Sequence, residues 1–231
     1  MASSLRVFVG RAWRNLNRRL SRLYISRLAA QDDTGLVRLG SEAGGWRAPV
    51  DAPAGAVAYC GGVGVDATFD FALRCECGLE VHSFDPTPKA IAYMERANKA
   101  DVAFHPWGMM DEDQSIRFYA PISDSHQSWF AENLHNTDKF IDAQCFRIST
   151  IMRKLGHEAL YLLKIDIEGS WYGVLDAMLA DGVTPEVVNV EFDSPAPIWR
   201  VMRTTRALMR SGYAVVYQEK DNVTFRLIAA T

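Results

Sequence analysis

Long hydrophobic runs are missing from this chain of 231 residues. Charge, glycine or proline interrupts every apolar stretch before it reaches the roughly 18 residues that a membrane-spanning helix needs, which excludes an integral membrane protein. Compositional bias is missing as well, since 16 glycines and 9 prolines are ordinary usage and exclude collagen-like and low-complexity chains. Because 48% of the residues are hydrophobic and 11% are aromatic, we expect a folded globular protein.

Cysteine is scarce and lacks the spacing of a metal or redox motif. The chain has Cys60, Cys75, Cys77 and Cys145, none of them in a C-x-x-C pair. Structural zinc requires two to four residues between paired cysteines, and Cys75 and Cys77 have one, so we predict no metal site. A domain of this size also needs no disulfides to be stable. We therefore expect reduced thiols and a reducing, cytoplasmic location.

Acidic residues are absent before Asp32, in a segment that contains seven of the 25 basic residues. The remaining 18 basic residues face all 28 acidic ones, so the rest of the chain is strongly acidic. An acidic body repels the phosphates of DNA and RNA. The charge distribution therefore excludes a general nucleic-acid-binding protein, and we expect no nucleic acid among its partners.

The basic segment, residues 1–38, has the pattern of an amphipathic helix. Its apolar residues recur at three- and four-residue steps, with arginines mostly between them: Val9, Trp13, Leu16, Leu20, Leu23 and Tyr24. Three interpretations remain open: a helix packed on the domain, a helix lying on an anionic membrane surface, or an organellar transit peptide. Residues 39–55 are rich in glycine, alanine and proline, which predicts a linker into the main domain.

Residues 56–231 alternate short apolar runs with amphipathic ones, the pattern of a parallel sheet with helices on both faces. Strands are predicted at residues 56–60, 81–85, 102–106, 161–167 and 186–192. Two further strands, separated by the turn "EKDN", must pair as an antiparallel hairpin, since parallel neighbours need a long crossover. We predict a Rossmann-like, doubly wound α/β fold whose seven-stranded, mostly parallel sheet has an antiparallel C-terminal strand.

A polar segment separates the third and fourth predicted strands. An acidic turn at residues 111–113, followed by alternating Ile116 and Phe118, suggests an extended segment or hairpin. The loop at residues 123–136 is expected to lie over the ligand edge of the sheet. His126 in this loop is a candidate general base, although loop histidines are often only solvated.

A glycine turn follows the first strand of this domain. Gly61, Gly62 and Gly64 would let the backbone approach a ligand closely, and the next helix offers free N–H groups. Asp85 ends the next strand about 20 residues later, where a carboxylate can accept both hydroxyls of an adenosine ribose. The pair predicts an adenosine-containing cofactor. The alternative is a plain strand-to-helix turn, with Asp85 as a helix cap ahead of Pro86.

The fourth predicted strand runs into "KIDIEGS". Alternation along the strand puts Asp166 and Glu168 on one face, and Gly169 lets the chain turn at the carboxyl edge of the sheet, where open α/β sheets bind ligands. Two carboxylates there could hold an ammonium group or take a proton from a substrate hydroxyl. Glu168 could instead cap the next helix.

These segments together, "GGVGVDATFD", "VHSFDPTPKAI", "VAFHPWGM" and "LLKIDIEGSWYGVL", resemble the FkbM-type S-adenosylmethionine-dependent methyltransferases over nearly all of residues 56–231. The runs "FDPTP" and "LKIDIEG" are the most specific. The resemblance implies a class I methyltransferase fold and S-adenosylmethionine as cofactor. The residues that we predict to bind the cofactor are Gly61, Gly62, Gly64, Asp66, Asp85, Trp107, Gly108 and Asp166.

The resemblance also implies a place for each part of the cofactor. Gly62 and Gly64 would lie against its amino-acid end and Asp85 on its ribose. Trp107 and Gly108, just past the third strand, would fall near the adenine.

Asp166 would lie beside the methionine moiety or the methyl acceptor. Two positions depart from the pattern of many class I enzymes. Cys60 stands where those enzymes have an acid, and Asp66 stands where they have a third glycine.

The predicted activity is therefore methyl transfer from S-adenosylmethionine to a hydroxyl oxygen of a small molecule or sugar. Asp166, Glu168 or His126 would remove the hydroxyl proton. One alternative is an NAD-binding oxidoreductase, which shares the glycine turn and Asp85 but leaves the hairpin and "KIDIEG" unexplained. The other is a non-catalytic methyltransferase-like domain that the basic helix tethers to a membrane or partner.

Overall fold

A computed structural model describes residues 2–30, 35–97, 101–119, 137–167, 169–193 and 196–228, with side chains from Ala12 onward. The helices are α1 (Ala2–Ser26), α2 (Thr68–Glu76), α3 (Pro88–Ala97), α4 (Ile148–Leu155), α5 (Trp171–Ala180) and α6 (Ile198–Arg210). The strands are β1 (Leu36–Leu39), β2 (Trp46–Pro49), β3 (Val57–Gly61), β4 (Glu80–Phe84), β5 (Ala103–His105), β6 (Gly108–Met109), β7 (Gln114–Tyr119), β8 (Phe140–Phe146), β9 (Leu162–Ile165), β10 (Val187–Glu191), β11 (Tyr213–Glu219) and β12 (Asn222–Leu227). No helix in these ranges is long and apolar enough to cross a membrane.

A mixed seven-stranded sheet forms the centre of this α/β fold, in the order β11-β12-β10-β9-β3-β4-β5. The five strands from β10 to β5 pair in parallel, whereas β12 is antiparallel to both of its neighbours. The C-terminal hairpin predicted from the turn "EKDN" is confirmed. Its second strand pairs with β10 along the whole of Val187–Glu191, so the antiparallel strand lies inside the sheet and β11 forms the edge.

Apolar residues fill both faces of the sheet, because alternate side chains of each strand point to opposite sides. Along β3, Tyr59 belongs to one buried cluster, and Ala58 and Cys60 belong to the other. Residues from α4, α5 and α6 cover the first face, and residues from α2 and α3 cover the second. Helices therefore pack on both faces, as the alternating sequence pattern predicts.

A second, three-stranded sheet has the order β6-β8-β7 and is formed by residues between β5 and β9 along the chain. The extended segment predicted after the acidic turn is confirmed as β7, which pairs antiparallel with β8. Strand β8 was not predicted, because most of its residues are polar or partly exposed and its apolar alternation is weak. The predicted loop at residues 123–136, with His126, lies outside the described residues, as does Glu168.

The basic segment forms α1, and the end of this helix packs on the domain. Ile25 is buried in the larger core cluster, and Tyr24 and Leu28 pack against it. Composition predicts a linker over residues 39–55, whereas the structure has a β1–β2 hairpin there that buries Trp46. The glycines and alanines in this stretch serve a tight turn and close packing, which composition alone does not distinguish from a linker. The domain boundaries at 38 and 55 stay a prediction.

Candidate functional site

A cavity of about 320 Å³ opens at the carboxyl edge of β3, β4 and β9. Its volume falls within the range of small-molecule sites, and its position is where open α/β sheets bind ligands. The walls come from the segments that follow four strands of the main sheet, with additions from the β1–β2 hairpin and β7. The lining residues are Gly44, Gly62, Val63, Gly64, Val65, Asp66, Phe84, Asp85, Pro86, Thr87, Trp107, Gly108, Met109, Met110, Phe118, Lys164, Asp166, Ile167 and Ser170.

Most of the candidates named from the sequence meet in this cavity. Its walls contain these seven: Gly62, Gly64, Asp66, Asp85, Trp107, Gly108 and Asp166. Gly61 is not in the lining but lies next to it, since a Cβ there would come within 2.8 Å of Met109 Sδ. The two other catalytic candidates, Glu168 and His126, lie outside the described residues.

Gly62 brings the glycine turn against the end of β9. Its φ is +81°, in the left-handed region that favours glycine, and a Cβ would overlap the main-chain oxygen of Asp166. Its N–H donates to the carbonyl oxygen of Phe84 at the end of β4 (2.9 Å). A larger residue would therefore separate the loops that form the cavity floor.

Asp85 holds the glycine turn from the end of β4. One carboxylate oxygen accepts the main-chain N–H groups of Val63 (3.0 Å) and Gly64 (2.9 Å), and the other accepts that of Thr87 (2.8 Å). The residue is 7% exposed. Because a carboxylate offers about four acceptor positions, one is left for a ligand hydroxyl at the cavity surface. Thr87 directly precedes α3, and its own hydroxyl accepts the N–H of Ala90 (3.4 Å), so Thr87 and not Asp85 caps this helix. The ribose contact stays a prediction.

Asp66 anchors the cavity wall to the β1–β2 hairpin. It accepts hydrogen bonds from the hydroxyl of Ser41 (2.5 Å) and from both the N–H (3.0 Å) and the hydroxyl (2.6 Å) of Thr68. Burial alone would raise the pKa of Asp66, but these bonds and the charge of Lys164 outweigh it and hold the pKa below the ordinary value. Asp66 is therefore an ionised anchor with most of its acceptor capacity used by the protein.

Lys164 is a functional candidate that the sequence reasoning missed. Its side chain is buried, and Nζ donates to the carbonyl oxygen of Gly62 (2.7 Å) and lies 3.4 Å from a carboxylate oxygen of Asp166. Burial would lower the pKa of Lys164, but the carboxylates of Asp166 and Asp70 outweigh it and the pKa is raised, so the ammonium stays charged. The available signal was a lone lysine inside an apolar strand, since lysine is rarely buried without a partner.

Asp166 presents its carboxylate to the cavity. Its N–H donates to the carbonyl oxygen of Gly61 (3.1 Å), which fixes the chain just after β9. The side chain is 37% exposed. An anionic group in this position can hold a ligand ammonium group or accept a proton from a hydroxyl.

Asp193 supports the same turn from the end of β10. Its two carboxylate oxygens accept the main-chain N–H of Gly169 (2.9 Å) and the indole N–H of Trp171 (2.8 Å). Because Trp171 is fully buried, these bonds tie the segment between β9 and α5 to the core.

Trp107 forms an aromatic wall of the cavity. Its ring stacks on His105 with centroids 4.8 Å apart, and the edge of Phe146 contacts it at 5.4 Å. Next to it, a Cβ on Gly108 would lie 2.5 Å from Cys145 Sγ, so this position requires glycine. A planar aromatic wall is suited to a planar ligand ring.

A group of metal-ligand type lies outside the cavity lining, at the start of β4. One Glu80 carboxylate oxygen is 3.1 Å from His82 Nε2 and 3.3 Å from His157 Nε2. The other ring nitrogens contact His105 Nε2 (3.0 Å) and the hydroxyl of Tyr59 (2.6 Å). These contacts satisfy the group as a hydrogen-bonded network. The expectation that the protein uses no metal stays a prediction.

Comparison with known proteins agrees with this geometry. The methyltransferase FkbM domain family matches residues 51–213. The chain is also similar to the human probable methyltransferase-like protein 24, with 23% identity over 171 residues. That match covers 73% of this chain and 41% of the human protein, so the chain spans less than half of its relative's length. The match to the family covers most of the chain and confirms the resemblance that was based on "FDPTP" and "LKIDIEG". The chain therefore belongs to the FkbM methyltransferase domain family.

Proposed function

We propose that this protein is an S-adenosylmethionine-dependent methyltransferase that acts on a hydroxyl oxygen of a small molecule or sugar. The observation that carries the proposal is one cavity in which the glycine turn, Asp85, Trp107 and Asp166 meet. Family membership supports methyl transfer. The strand order, with β12 antiparallel between β10 and β11, supports the finer assignment to the doubly wound class I methyltransferase fold.

The cavity residues fit this cofactor by their chemistry. Gly62 keeps the glycine turn tight against the end of β9, and Asp85 keeps one acceptor position for a ribose hydroxyl. Trp107 offers a flat face for the adenine. The Asp166 carboxylate suits one of two roles, pairing with the ammonium of the methionine moiety or accepting the proton of the acceptor hydroxyl, and the proposed mechanism uses the second. When bound, S-adenosylmethionine supplies an electrophilic methyl group on a sulfonium.

The protein's own contribution is positioning and proton removal. Holding an acceptor hydroxyl in line with a reactive group can lower a barrier by roughly 7–11 kcal/mol. In this proposal the acceptor oxygen would bond to the methyl carbon as the bond from that carbon to sulfur breaks, with the demethylated cofactor as leaving group, and Asp166 would accept the hydroxyl proton. Lys164 holds the Asp166 carboxylate in place through their 3.4 Å contact. Glu168 and His126 remain alternatives for the proton step.

Calorimetric titration tests the cofactor assignment. We expect S-adenosylmethionine and its demethylated product to bind and NAD not to bind. Gly62→Ala should abolish binding, whereas Gly182→Ala is the matched control, since Gly182 also has a positive φ (+71°) but no atom within 4 Å of its Cβ position. Tight NAD binding without a response to the methyl donor would favour the oxidoreductase alternative.

Substitution of the proton acceptors tests the mechanism. Asp166→Asn should lower the rate of demethylated-cofactor release, measured with hydroxylated small molecules and sugars, more than Glu168→Gln or His126→Ala. The physical reason is that β9 delivers the Asp166 carboxylate to the cavity wall, where it can reach the hydroxyl of a bound acceptor. The opposite ranking would assign the proton step to one of the other two residues.

A further inference from the structure

Helix α1 turns polar residues toward the domain, the reverse of an ordinary surface helix. Asn17 and Ser21 are buried, with exposures of 8% and 6%. Asn17 Oδ1 accepts the main-chain N–H of Ile198 at the start of α6 (3.0 Å). Ile25 then enters the core. Most of the apolar residues that recur at helical spacing along α1 are therefore not buried against the domain.

The outward side of α1 carries those apolar residues, which we call the α1 apolar row. Its members are exposed large side chains: Trp13 (48%), Leu16 (55%), Leu20 (39%) and Leu23 (51%). Their spacing places them within an arc of about 80° of the helix circumference. Single exposed apolar residues are ordinary, but a contiguous row on one element is typical of an interaction surface.

The positive charge of α1 indicates what kind of partner its outward side would bind. Residues 2–30 contain seven arginines and no acidic residue. Arg18 and Arg22 bind the carboxylate of Asp221 (2.6 and 2.8 Å), which fixes the rotation of the helix about its axis. Arg19 is exposed, and the helical repeat places it beside the apolar row. Arg27, in the turn just past the end of α1, is also exposed. The outward surface is therefore apolar and cationic together.

We propose that the outward face of α1 binds an anionic membrane surface, with the apolar row at the boundary of headgroups and acyl chains and the arginines at the lipid phosphates. A second copy of the chain is a poor occupant, because two faces of equal positive charge repel each other. The acidic remainder of the chain is also repelled by anionic lipid, which orients the domain with α1 toward the bilayer. This inference does not depend on the proposed methyl transfer.

Flotation of the full chain with vesicles tests the proposal. We expect binding to phosphatidylcholine vesicles that contain phosphatidylserine, weak binding to pure phosphatidylcholine, and release at high salt. The triple variant Leu16→Gln, Leu20→Gln, Leu23→Gln should lower the partition constant by more than about tenfold, because each leucine loses its apolar burial. The control Phe140→Gln removes an apolar side chain of similar exposure (45%) outside α1 and should bind as the wild type does.

Charge reversal tests the electrostatic part separately. Because one arginine near anionic lipid changes partitioning about fivefold, Arg19→Glu with Arg27→Glu should lower it about 25-fold or more. Arg96→Glu, at an exposed position on α3, is the matched control and should have a small effect. Thermal unfolding and gel filtration of each variant establish that the fold is kept.

Three results would overturn the proposal. The first is no flotation of the wild type with anionic vesicles. The second is flotation that the α1 variants leave unchanged. The third is a dimer in sedimentation analysis that the leucine variant dissociates, without vesicle binding, which would assign the apolar row to a second copy of the chain.

Discussion

At the scale of single residues, the cavity depends on a buried cation. Lys164 links the glycine turn to the end of β9 through the carbonyl oxygen of Gly62 and the carboxylate of Asp166. Behind it, Asp70 is buried and accepts the hydroxyl of Ser83 (2.5 Å); burial raises the pKa of Asp70, although Lys164 opposes the shift. One side chain therefore couples the stability of the fold to the shape of the site.

Removal of this cation should be costly. Lys164→Met leaves Asp70 buried without its cation, so we expect the free energy of unfolding to fall by about 3–5 kcal/mol. Urea unfolding measures the change. Adding Asp70→Asn to Lys164→Met should restore part of the loss, because the uncompensated charge is then gone. If the losses of unfolding free energy in Lys164→Met and in Asp70→Asn simply add in the double variant, the two residues are not coupled.

Asp85 should contribute to both binding and stability. Asp85→Ala leaves the N–H groups of Val63, Gly64 and Thr87 without their acceptor. We expect the free energy of unfolding to fall by about 1–3 kcal/mol and the affinity for the demethylated cofactor to fall as well. Urea unfolding and calorimetry measure the two effects, with the exposed Asp138→Ala as control. Unchanged affinity with lost stability would show that Asp85 only holds the glycine turn and does not bind the cofactor.

At the scale of elements, strands β4 and β5 place a column of rings beside the cavity. His105 stacks on Trp107, on Phe84 and on His82. Burial, with smaller contributions from His82 and His157, lowers the pKa of His105 to about 4. The wall behind the proposed adenine position is therefore neutral and aromatic at physiological pH.

This column predicts a pH dependence of stability. The unfolded chain protonates His105 near pH 6.5, and the folded protein does so near pH 4. Between these values the unfolded state binds more protons, so the stability contribution is complete above about pH 6.5 and is lost as the pH falls toward 4. Denaturant unfolding across this range should show the decline, and His105→Phe should flatten it. An unchanged slope in the variant would assign the decline to other groups, among them His82, whose pKa burial also lowers.

Elements with a strong local signal were predictable and the others were not. The two strands around "EKDN" follow from apolar periodicity and turn chemistry, and the structure has them. Strand β8 and the β1–β2 hairpin escaped prediction. Strand β8 pairs with partners more than 20 positions away, so local propensity says little about it. The β1–β2 hairpin is local, but its glycine- and alanine-rich composition is also that of a linker.

At the scale of the whole molecule, α1 is part of the folded unit through its final turns. Ile25 lies in the core, the N–H of Ala30 donates to Val215 of β11 (3.1 Å), and Asp221 holds two of its arginines. Deletion of residues 2–30 should therefore expose apolar surface and produce aggregation or a large loss of thermal stability. A stable, monomeric product of this deletion in gel filtration would show that α1 is separable.

The sequence by itself determined the α/β class, the terminal hairpin, the family and seven of the residues that line the cavity. These follow from the period of apolar residues, from turn residues and from motifs read within short windows, which depend on local chemistry. Only the tertiary structure decided that Asp85 also holds the glycine turn, that Lys164 bridges Gly62 and Asp166, and that α1 exposes its apolar row. Each of these depends on contacts between residues more than 20 positions apart, or on which side of a helix meets the domain. An amphipathic pattern shows that a helix has two sides, but it does not show which side the rest of the protein covers.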